Sequence, residues 1–325
     1  RMAMPASFEG RLKLPLVAAP MFLVSGPELV IETCKAGVVG TFPALNQRSS
    51  EGFEQWLDQI NAELAQAENP APFGVNLIVH NTNPRVQADL ELCVKHKVPL
   101  VITSLGAVKE VVDAVHSYGG LVFHDVTNIR HARKAAEAGV DGLIAVCAGA
   151  GGHAGTLSPF ALVNEIRQFF KGTVLLSGCM SSGQDVATAR MLGADLAYMG
   201  TRFINSAESL AVDEYKDMII DSTANDIVYT PKISGIPANF LKPSLADAGL
   251  DAETGERKKV DLGEELTAPK EGASAWKSIW SAGQGVGSIA DKPPVVDLIA
   301  ELRREYVEAA NQFADQSAPF MEAEV

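Results

Sequence analysis

The 325-residue chain lacks the features that mark metal centres, disulfide scaffolds and membrane spans. It has four cysteines, none of them in a C-x-x-C pair, and it contains no H-E-x-x-H motif, so we expect no metal site. No apolar run reaches the length of about 18 residues that a transmembrane helix needs. Unpaired cysteines are usual in a reducing compartment, and the predicted location is therefore cytoplasmic.

The chain also has few basic residues for its size. It carries 27 Lys and Arg against 40 Asp and Glu, a net charge of −13, and the acidic residues are spread along the sequence. Such a field repels nucleic acid and anionic membranes, so we expect neither as a partner. There is no G-x-x-x-x-G-K-[ST] loop, and the glycines at 149–152 do not fit the dinucleotide pattern. An anionic ligand would have to be held locally, by backbone N–H groups.

Short apolar runs separated by helical patterns are what the chain does have. Most runs are too apolar to alternate, which is typical of strands buried on both faces of a parallel sheet. The predicted strands are 15–19, 37–41, 73–77, 99–103, 121–125, 142–146, 173–177 and 196–200. The predicted helices between them are 27–36, 52–66, 86–96, 107–117, 128–138, 159–170 and 184–192.

A weak internal repeat supports this alternation. Gly37, Gly139 and Gly193 each end a predicted helix shortly before a strand, where a C′ residue needs a positive φ angle. Strands that alternate with helices in this way predict an α/β fold of the (β/α)₈ TIM-barrel type. A doubly wound open sheet is the alternative.

The pattern changes after the eighth predicted strand. Residues 206–279 are predicted to form a helical insertion or lid, in which the polar stretch 251–272 would be a mobile loop. An amphipathic helix with a proline-rich start is predicted over 293–313. We therefore expect one barrel domain built from 1–205 and 280–325.

Candidate site residues follow from the fold, because a TIM barrel carries its active site at the carboxyl ends of its strands. The stretch GAGGHAGTLSP (149–159) follows the sixth strand and places His153 among small residues that let backbone approach a ligand closely. The seventh and eighth strands end in Ser177-Gly178-Cys179 and Gly200-Thr201. Loops at these two places commonly bind a phosphate group.

Several of these segments together resemble the nitronate monooxygenase family, once called 2-nitropropane dioxygenases. The resemblance rests on AAPM, FGVNL, AGGHAG, LLSGC, GADLAYMGTRF and WSAGQGVGSI, which fall within residues 10–205 and 280–289. It implies a (β/α)₈ barrel that binds FMN without a covalent bond and carries a helical insertion near its C-terminus. Many relatives read Q-G-G-M at Ala18–Met21 and S-G-G at Ser177–Cys179, and some reductase relatives carry lysine at Asp125.

The resemblance also implies roles for individual residues. His153 corresponds to the active-site histidine, and His124 is the next candidate for that role. The positions implied to contact FMN are Pro20, Met21, Phe22, Asn76, Asp125, Gly151, Gly152, Ser177, Gly178, Cys179, Gly200, Thr201 and Gln284.

The activity implied by the resemblance is the oxidation of alkyl nitronates by molecular oxygen to a carbonyl compound and nitrite, with FMN carrying the redox chemistry. A protonated His153 would stabilise the nitronate oxygens, whereas a neutral one would take the α-proton of a nitroalkane. Apolar surroundings would lower the pKa of His153. Two alternatives stay open: an NAD(P)H-dependent FMN reductase of enoyl thioesters or quinones, and a barrel that binds a phosphorylated metabolite without redox chemistry. The sequence does not fix the oligomeric state, and a homo-oligomer is one alternative.

Overall fold

The centre of the molecule is a closed barrel of eight parallel strands. The computed structural model describes residues 3–106, 109–250 and 279–322. The barrel strands are β1 (Leu16–Ala18), β2 (Val39–Pro43), β3 (Gly74–Ile78), β4 (Leu100–Ser104), β5 (Leu121–Val126), β6 (Gly142–Val146), β8 (Thr173–Ser177) and β9 (Leu196–Met199). Pairing of Ala18 with Met199 joins β9 to β1 and closes the ring. The predicted TIM barrel is confirmed, and each predicted strand lies within two residues of the observed one.

Helices follow the strands on the outside of the barrel. They are α1 (Pro27–Lys35), α2 (Ser50–Ala65), α3 (Val86–Lys95), α4 (Lys109–His116), α5 (Ile129–Glu137), α6 (Pro159–Arg167), α7 (Gly183–Met191) and α8 (Thr201–Ile204). Side chains cap several of their N-termini: Asn128 accepts from the backbone N–H of His131, and Ser182 forms a capping box with Asp185. The predicted helix-ending glycines at 37, 139 and 193 all have positive φ angles.

Two apolar layers hold the barrel together. One fills its interior, where Phe8 packs edge-on against Phe123, and the other lies between the outer strand faces and the helices. Neighbours along a strand alternate between them: Val17 belongs to the inner layer, whereas Leu16 and Ala18 belong to the outer one. Because both faces of each strand are buried, the strands read as continuous apolar runs in the sequence.

The segment after α8 contains more than the predicted helices. Its described part holds α9 (Asp213–Asp221), α10 (Lys242–Asp247) and an antiparallel hairpin of β10 (Ile227–Thr230) and β11 (Ala238–Leu241). The hairpin was not expected from the sequence. A third strand, β7 (Gly152–His153), pairs with β11 to complete a three-stranded sheet, and it comes from the loop after β6. The predicted mobile stretch 251–272 lies outside the described residues, and the lid and its boundaries stay predictions.

The last helix, α11 (Val295–Met321), is longer than the predicted 293–313 and packs against α7 and α1. Gly183 begins α7 so close to α11 that a Cβ atom there would overlap the carbonyl oxygen of Leu302. Only glycine fits such a backbone contact. None of the helices in the described ranges has the length and apolar character required to cross a bilayer.

Candidate active site

A cavity of about 960 Å³ opens at the carboxyl ends of the barrel strands. The sequence-predicted residues that line it are Pro20, Met21, Phe22, Asn76, Asp125, Gly151, Gly152, His153, Ser177, Gly178, Cys179, Gly200 and Thr201. Gln284 is not among the lining residues. Its side-chain oxygen lies 3.8 Å from the Cys179 sulfur, and its backbone N–H donates to the carbonyl oxygen of Gly149. Gln284 is therefore an exposed residue beside the loops around the cavity, and its contact with FMN stays a prediction.

The loop that carries His153 is held by the hairpin of the inserted segment. His153 pairs with Ala238 of β11, and the side chain of Asn239 donates a 2.7 Å hydrogen bond to the carbonyl oxygen of Ala150. The backbone N–H of Ala154 donates to Pro237. These contacts fix the backbone on both sides of the imidazole, although the loop is rich in glycine.

His153 is exposed within the open cavity, and the protein atoms around it reduce its solvation. Desolvation by the surrounding protein lowers the pKa of His153 to about 4. The imidazole is therefore neutral near pH 7 before any ligand binds. A neutral imidazole can accept a proton at one nitrogen and donate a hydrogen bond from the other.

Backbone atoms of three loops form one corner of the cavity, which we call the glycine corner: residues 149–151, 177–179 and 200–201. Gly178 and Cys179 both have positive φ angles, +129° and +63°. A Cβ atom at Gly151 would lie 2.9 Å from the backbone nitrogen of Gly283, which itself donates to the Thr201 hydroxyl. The loops therefore meet backbone to backbone, with few side chains between them.

A chain of polar side chains crosses the opposite part of the cavity wall. Asn76 donates to the hydroxyl of Ser104 over 2.9 Å, and Ser104 donates to Oδ2 of Asp125 over 2.5 Å. The other carboxyl oxygen of Asp125, Oδ1, is buried and has no hydrogen-bond partner within residues 3–106, 109–250 and 279–322. Burial raises the pKa of Asp125 to about 6, against the hydrogen bond from Ser104.

His124 lies beside Asp125 but is almost fully buried, and its Nδ1 is 2.6 Å from the Thr103 hydroxyl. Desolvation lowers the pKa of His124 to about 4. The unfolded chain therefore binds a proton at His124 more readily than the folded protein does. The contribution of His124 to the free energy of unfolding is lost as the pH falls from 6.5 through about 4.

Asp125 has the opposite effect on stability. Its pKa is higher in the folded state, so the folded protein binds the proton more readily than the unfolded chain does. The stabilising contribution of Asp125 is complete below pH 3.8 and is lost as the pH rises through about 6. The two neighbours therefore oppose each other in the range where both titrate.

Sequence reasoning missed several residues of this site. Asn239 and Ser104 were not singled out, nor was the stacked pair of Tyr215 and Trp280, whose ring centroids are 5.0 Å apart in the cavity wall. Ser104 ends a barrel strand and could have been found by that position. Asn239 has no such signal, because its contact with Ala150 spans 89 residues of sequence.

Comparison with known proteins gives one family and two kinds of relative. The family model described as nitronate monooxygenase matches residues 9–305. A nitronate monooxygenase of Paraburkholderia phytofirmans is 25% identical over 93% of this chain and 95% of its own length. A Mycobacterium tuberculosis protein named (3aS,4S,5R,7aS)-5-hydroxy-7a-methyl-1-oxo-octahydro-1H-indene-4-carboxyl-CoA dehydrogenase is 26% identical, over 75% of this chain and 67% of its own length.

Among solved structures, a nitroalkane oxidase from Streptomyces ansochromogenes has a TM-score of 0.81 and 24% identity. The match covers 95% of this chain and 100% of that one. At that identity the likeness supports the barrel fold alone.

Proposed function

The chain belongs to the nitronate monooxygenase family of flavin-dependent oxidoreductases, and from this premise we propose that it oxidises alkyl nitronates with bound FMN. The products would be a carbonyl compound and nitrite, with molecular oxygen as the oxidant. The observation that carries the proposal is that one loop, residues 149–153, supplies both a wall of the glycine corner and the imidazole of His153.

The glycine corner fits the phosphate of FMN. A phosphate is bound well by backbone N–H groups that converge where side chains are absent. Gly178, Gly200 and Thr201 line the cavity at the ends of β8 and β9, where we expect their backbone N–H groups to contact the phosphate. Because the chain as a whole is acidic, backbone donors of this kind are the local help that a phosphate needs.

The rest of the cavity fits a flavin ring. Met21 and Phe22, which follow β1, offer apolar surface. Asn76 on β3 and Asp125 on β5 offer polar atoms to the same cavity. The half-buried carboxyl group of Asp125, which lines the cavity, would accept from a ring N–H group. When bound, FMN supplies the redox chemistry, and the protein contributes binding, orientation and electrostatics.

His153 is the residue that we propose for acid–base work. In the free enzyme it is neutral, so it is ready to accept the α-proton of a nitroalkane. Toward an anionic nitronate, the same ring would donate a hydrogen bond from its N–H. A bound anion would also raise the pKa of His153 and favour its protonation.

A second function is favoured by one relative. The M. tuberculosis protein is named as a dehydrogenase of a CoA thioester, and the cavity of about 960 Å³ is large for a flavin with a small nitro compound. An NAD(P)H-dependent FMN reductase of enoyl thioesters or quinones would use the same glycine corner for FMN.

Anaerobic mixing of the purified protein with each reductant separates the two functions. A nitronate monooxygenase should lose its oxidised-flavin absorbance on mixing with a primary nitronate but not with NADH or NADPH. In air, the same nitronate should then yield nitrite with uptake of oxygen. Rapid bleaching by NAD(P)H together with no response to nitronates would refute the proposal and support the reductase. A colourless protein that binds no added FMN would refute both.

A further inference from the structure

The second half of helix α11 extends away from the body of the protein. The first half buries side chains such as Val295 and Leu302 in the apolar layer outside the barrel. From residue 310 to residue 322, by contrast, every residue except Ser317 is exposed. We call residues 310–321 the overhang, a stretch of helix about 18 Å long.

The overhang carries an apolar face, although no other part of the described chain covers it. Phe313, Phe320 and Met321 are 55%, 85% and 77% exposed. They lie seven and eight residues apart, so they share one side of the helix. Clustered apolar side chains that stay exposed mark a surface for a partner.

A groove of about 730 Å³ runs beside the first half of the same helix. Its uncharged wall on α11 is formed by Val296, Ile299, Ala300 and Val307, and its other wall is the end of α1. Each half of the helix, 296–307 and 310–321, spans about 18 Å. The overhang is therefore as long as the stretch of α11 that lines the groove.

The charges of the groove and the overhang are complementary. The charged residues that line the groove are four cations and two acids: Lys13, Lys35, Arg303, Arg304, Glu32 and Glu308. In the part of the chain that the structure describes, neither Lys13 nor Arg303 forms a salt bridge. Residues 310–322 contain Asp315 and Glu322 and no basic residue. A cationic groove and an acidic overhang attract each other.

One repeat of alternating four- and three-residue steps runs through both halves of α11. Its members are Val296, Ala300, Arg303, Val307, Ala310, Ala314, Ser317 and Met321. This spacing is the pattern of a helix that pairs with another helix along a continuous seam. The groove and the overhang therefore lie along one seam rather than on two unrelated faces.

The repeat is symmetric about its midpoint, between Val307 and Ala310. An antiparallel second copy, related by a two-fold axis at that point, would bring each member of the repeat opposite another member. The cross-pairs would be Val307 with Ala310, Arg303 with Ala314, Ala300 with Ser317 and Val296 with Met321. The seam is thus complementary to itself in length and in register.

We propose that two copies of this chain form a two-fold symmetric dimer in which the overhang of each copy lies in the groove of the other. Phe313 and Phe320 flank the seam and would be covered by the second copy. A different protein as partner would leave the symmetric register of α11 without a reason. An anionic membrane surface would repel the acidic overhang.

Sedimentation equilibrium of the purified full-length chain measures the dimer directly. We expect a particle of twice the chain mass of 34.5 kDa that dissociates on dilution. Hydrogen exchange gives a second readout, because the amides of residues 310–321 should exchange more slowly in the dimer than in the diluted monomer. A protein that stayed monomeric up to its highest soluble concentration would overturn the proposal and leave the overhang to a different partner.

Phe313→Asp tests the overhang. An aromatic side chain at the centre of an interface contributes about 30-fold or more in affinity, and the two-fold axis uses Phe313 twice, so Kd should rise by roughly 10³-fold. Phe160→Asp is the matched control, since Phe160 is 66% exposed on α6 and lies outside the groove and the overhang. Circular dichroism should be unchanged in both variants. A dimer that persisted in Phe313→Asp would use another surface, which would overturn the proposal.

A charge exchange tests the register. Ala314→Lys would place a second cation opposite Arg303 of the other copy. A like-charge contact of this kind costs about two- to fivefold, and it occurs twice, so Kd should rise by about 4- to 25-fold. Adding Arg303→Glu to the same chain turns both contacts into attractive pairs and should restore the dimer. Failure of this rescue would overturn the antiparallel seam.

Discussion

Replacement of His153 by asparagine tests the acid–base role directly. Asparagine keeps a polar side chain but cannot act as a base or carry a positive charge near pH 7. The fold should tolerate the change, because it is the backbone of residue 153 that pairs with Ala238, and the side chain faces the cavity. FMN content should stay nearly constant, since the glycine corner would hold the phosphate.

The expected loss depends on the substrate. A general base contributes about 10²- to 10⁴-fold, and a base with a pKa of about 4 is weak, so we expect the low end of this range. Turnover of a neutral nitroalkane should therefore fall by about 10²-fold, equivalent to roughly 2.7 kcal/mol in the barrier. Turnover of a preformed nitronate needs no proton removal. It should fall by much less, chiefly through a raised KM.

The pH profile gives an independent readout. Since His153 must be unprotonated to act as a base, nitroalkane kcat/KM should fall as the pH drops through about 4, and this limb should be absent from the variant. His116→Asn is the matched control, because His116 is exposed, pairs with Asp141 over 2.7 Å and lies outside the cavity. If His153→Asn kept both activities, the imidazole would have no catalytic role. A limb near pH 6.5 would contradict the desolvated environment.

Three further variants test other parts of the site. Gly200→Val should lose FMN on dialysis but keep the circular dichroism spectrum of the folded protein, because a Cβ atom added at Gly200 would lie no closer than 3.6 Å to other protein atoms. Full flavin occupancy in this variant would exclude a phosphate site at Gly200. Asn239→Ala leaves the carbonyl of Ala150 without its donor, so the free energy of unfolding measured in urea should fall by about 1–3 kcal/mol, with a lower nitroalkane kcat. Unchanged stability and kcat would mean that the hairpin does not position the loop. His124→Gln removes a group whose pKa is lowered to about 4, so the stability difference between wild type and variant should grow by ~3 kcal/mol as the pH rises from 4 to 6.5. A stability difference between the two proteins that did not change with pH would contradict the lowered pKa of His124. Asp125 is present in both proteins, so its own titration does not account for the difference.

The barrel itself could be predicted from the sequence because its signals are local. Strands buried on both faces give continuous apolar runs, and glycine is needed wherever a helix must end in a left-handed residue, as at Gly139. The TIM-barrel rule then places the active site at the carboxyl ends of the strands. The loop 149–159 stood out for the same reason, since small residues around a single histidine are visible without any knowledge of the neighbours.

Only the tertiary structure decided what surrounds that histidine. A two-residue strand, β7, exists because β11 lies beside it, and the hydrogen bond from Asn239 to Ala150 joins residues 89 positions apart. The burial of one carboxyl oxygen of Asp125 and the place of Lys134 in the cavity wall likewise depend on which elements pack together. Burial, which sets the pKa values of His153 and Asp125, is a property of the assembled core. The sequence by itself therefore determined the strands, the helices and the chemical groups, whereas long-range packing determined their protonation states, their supports and the shape of the cavity.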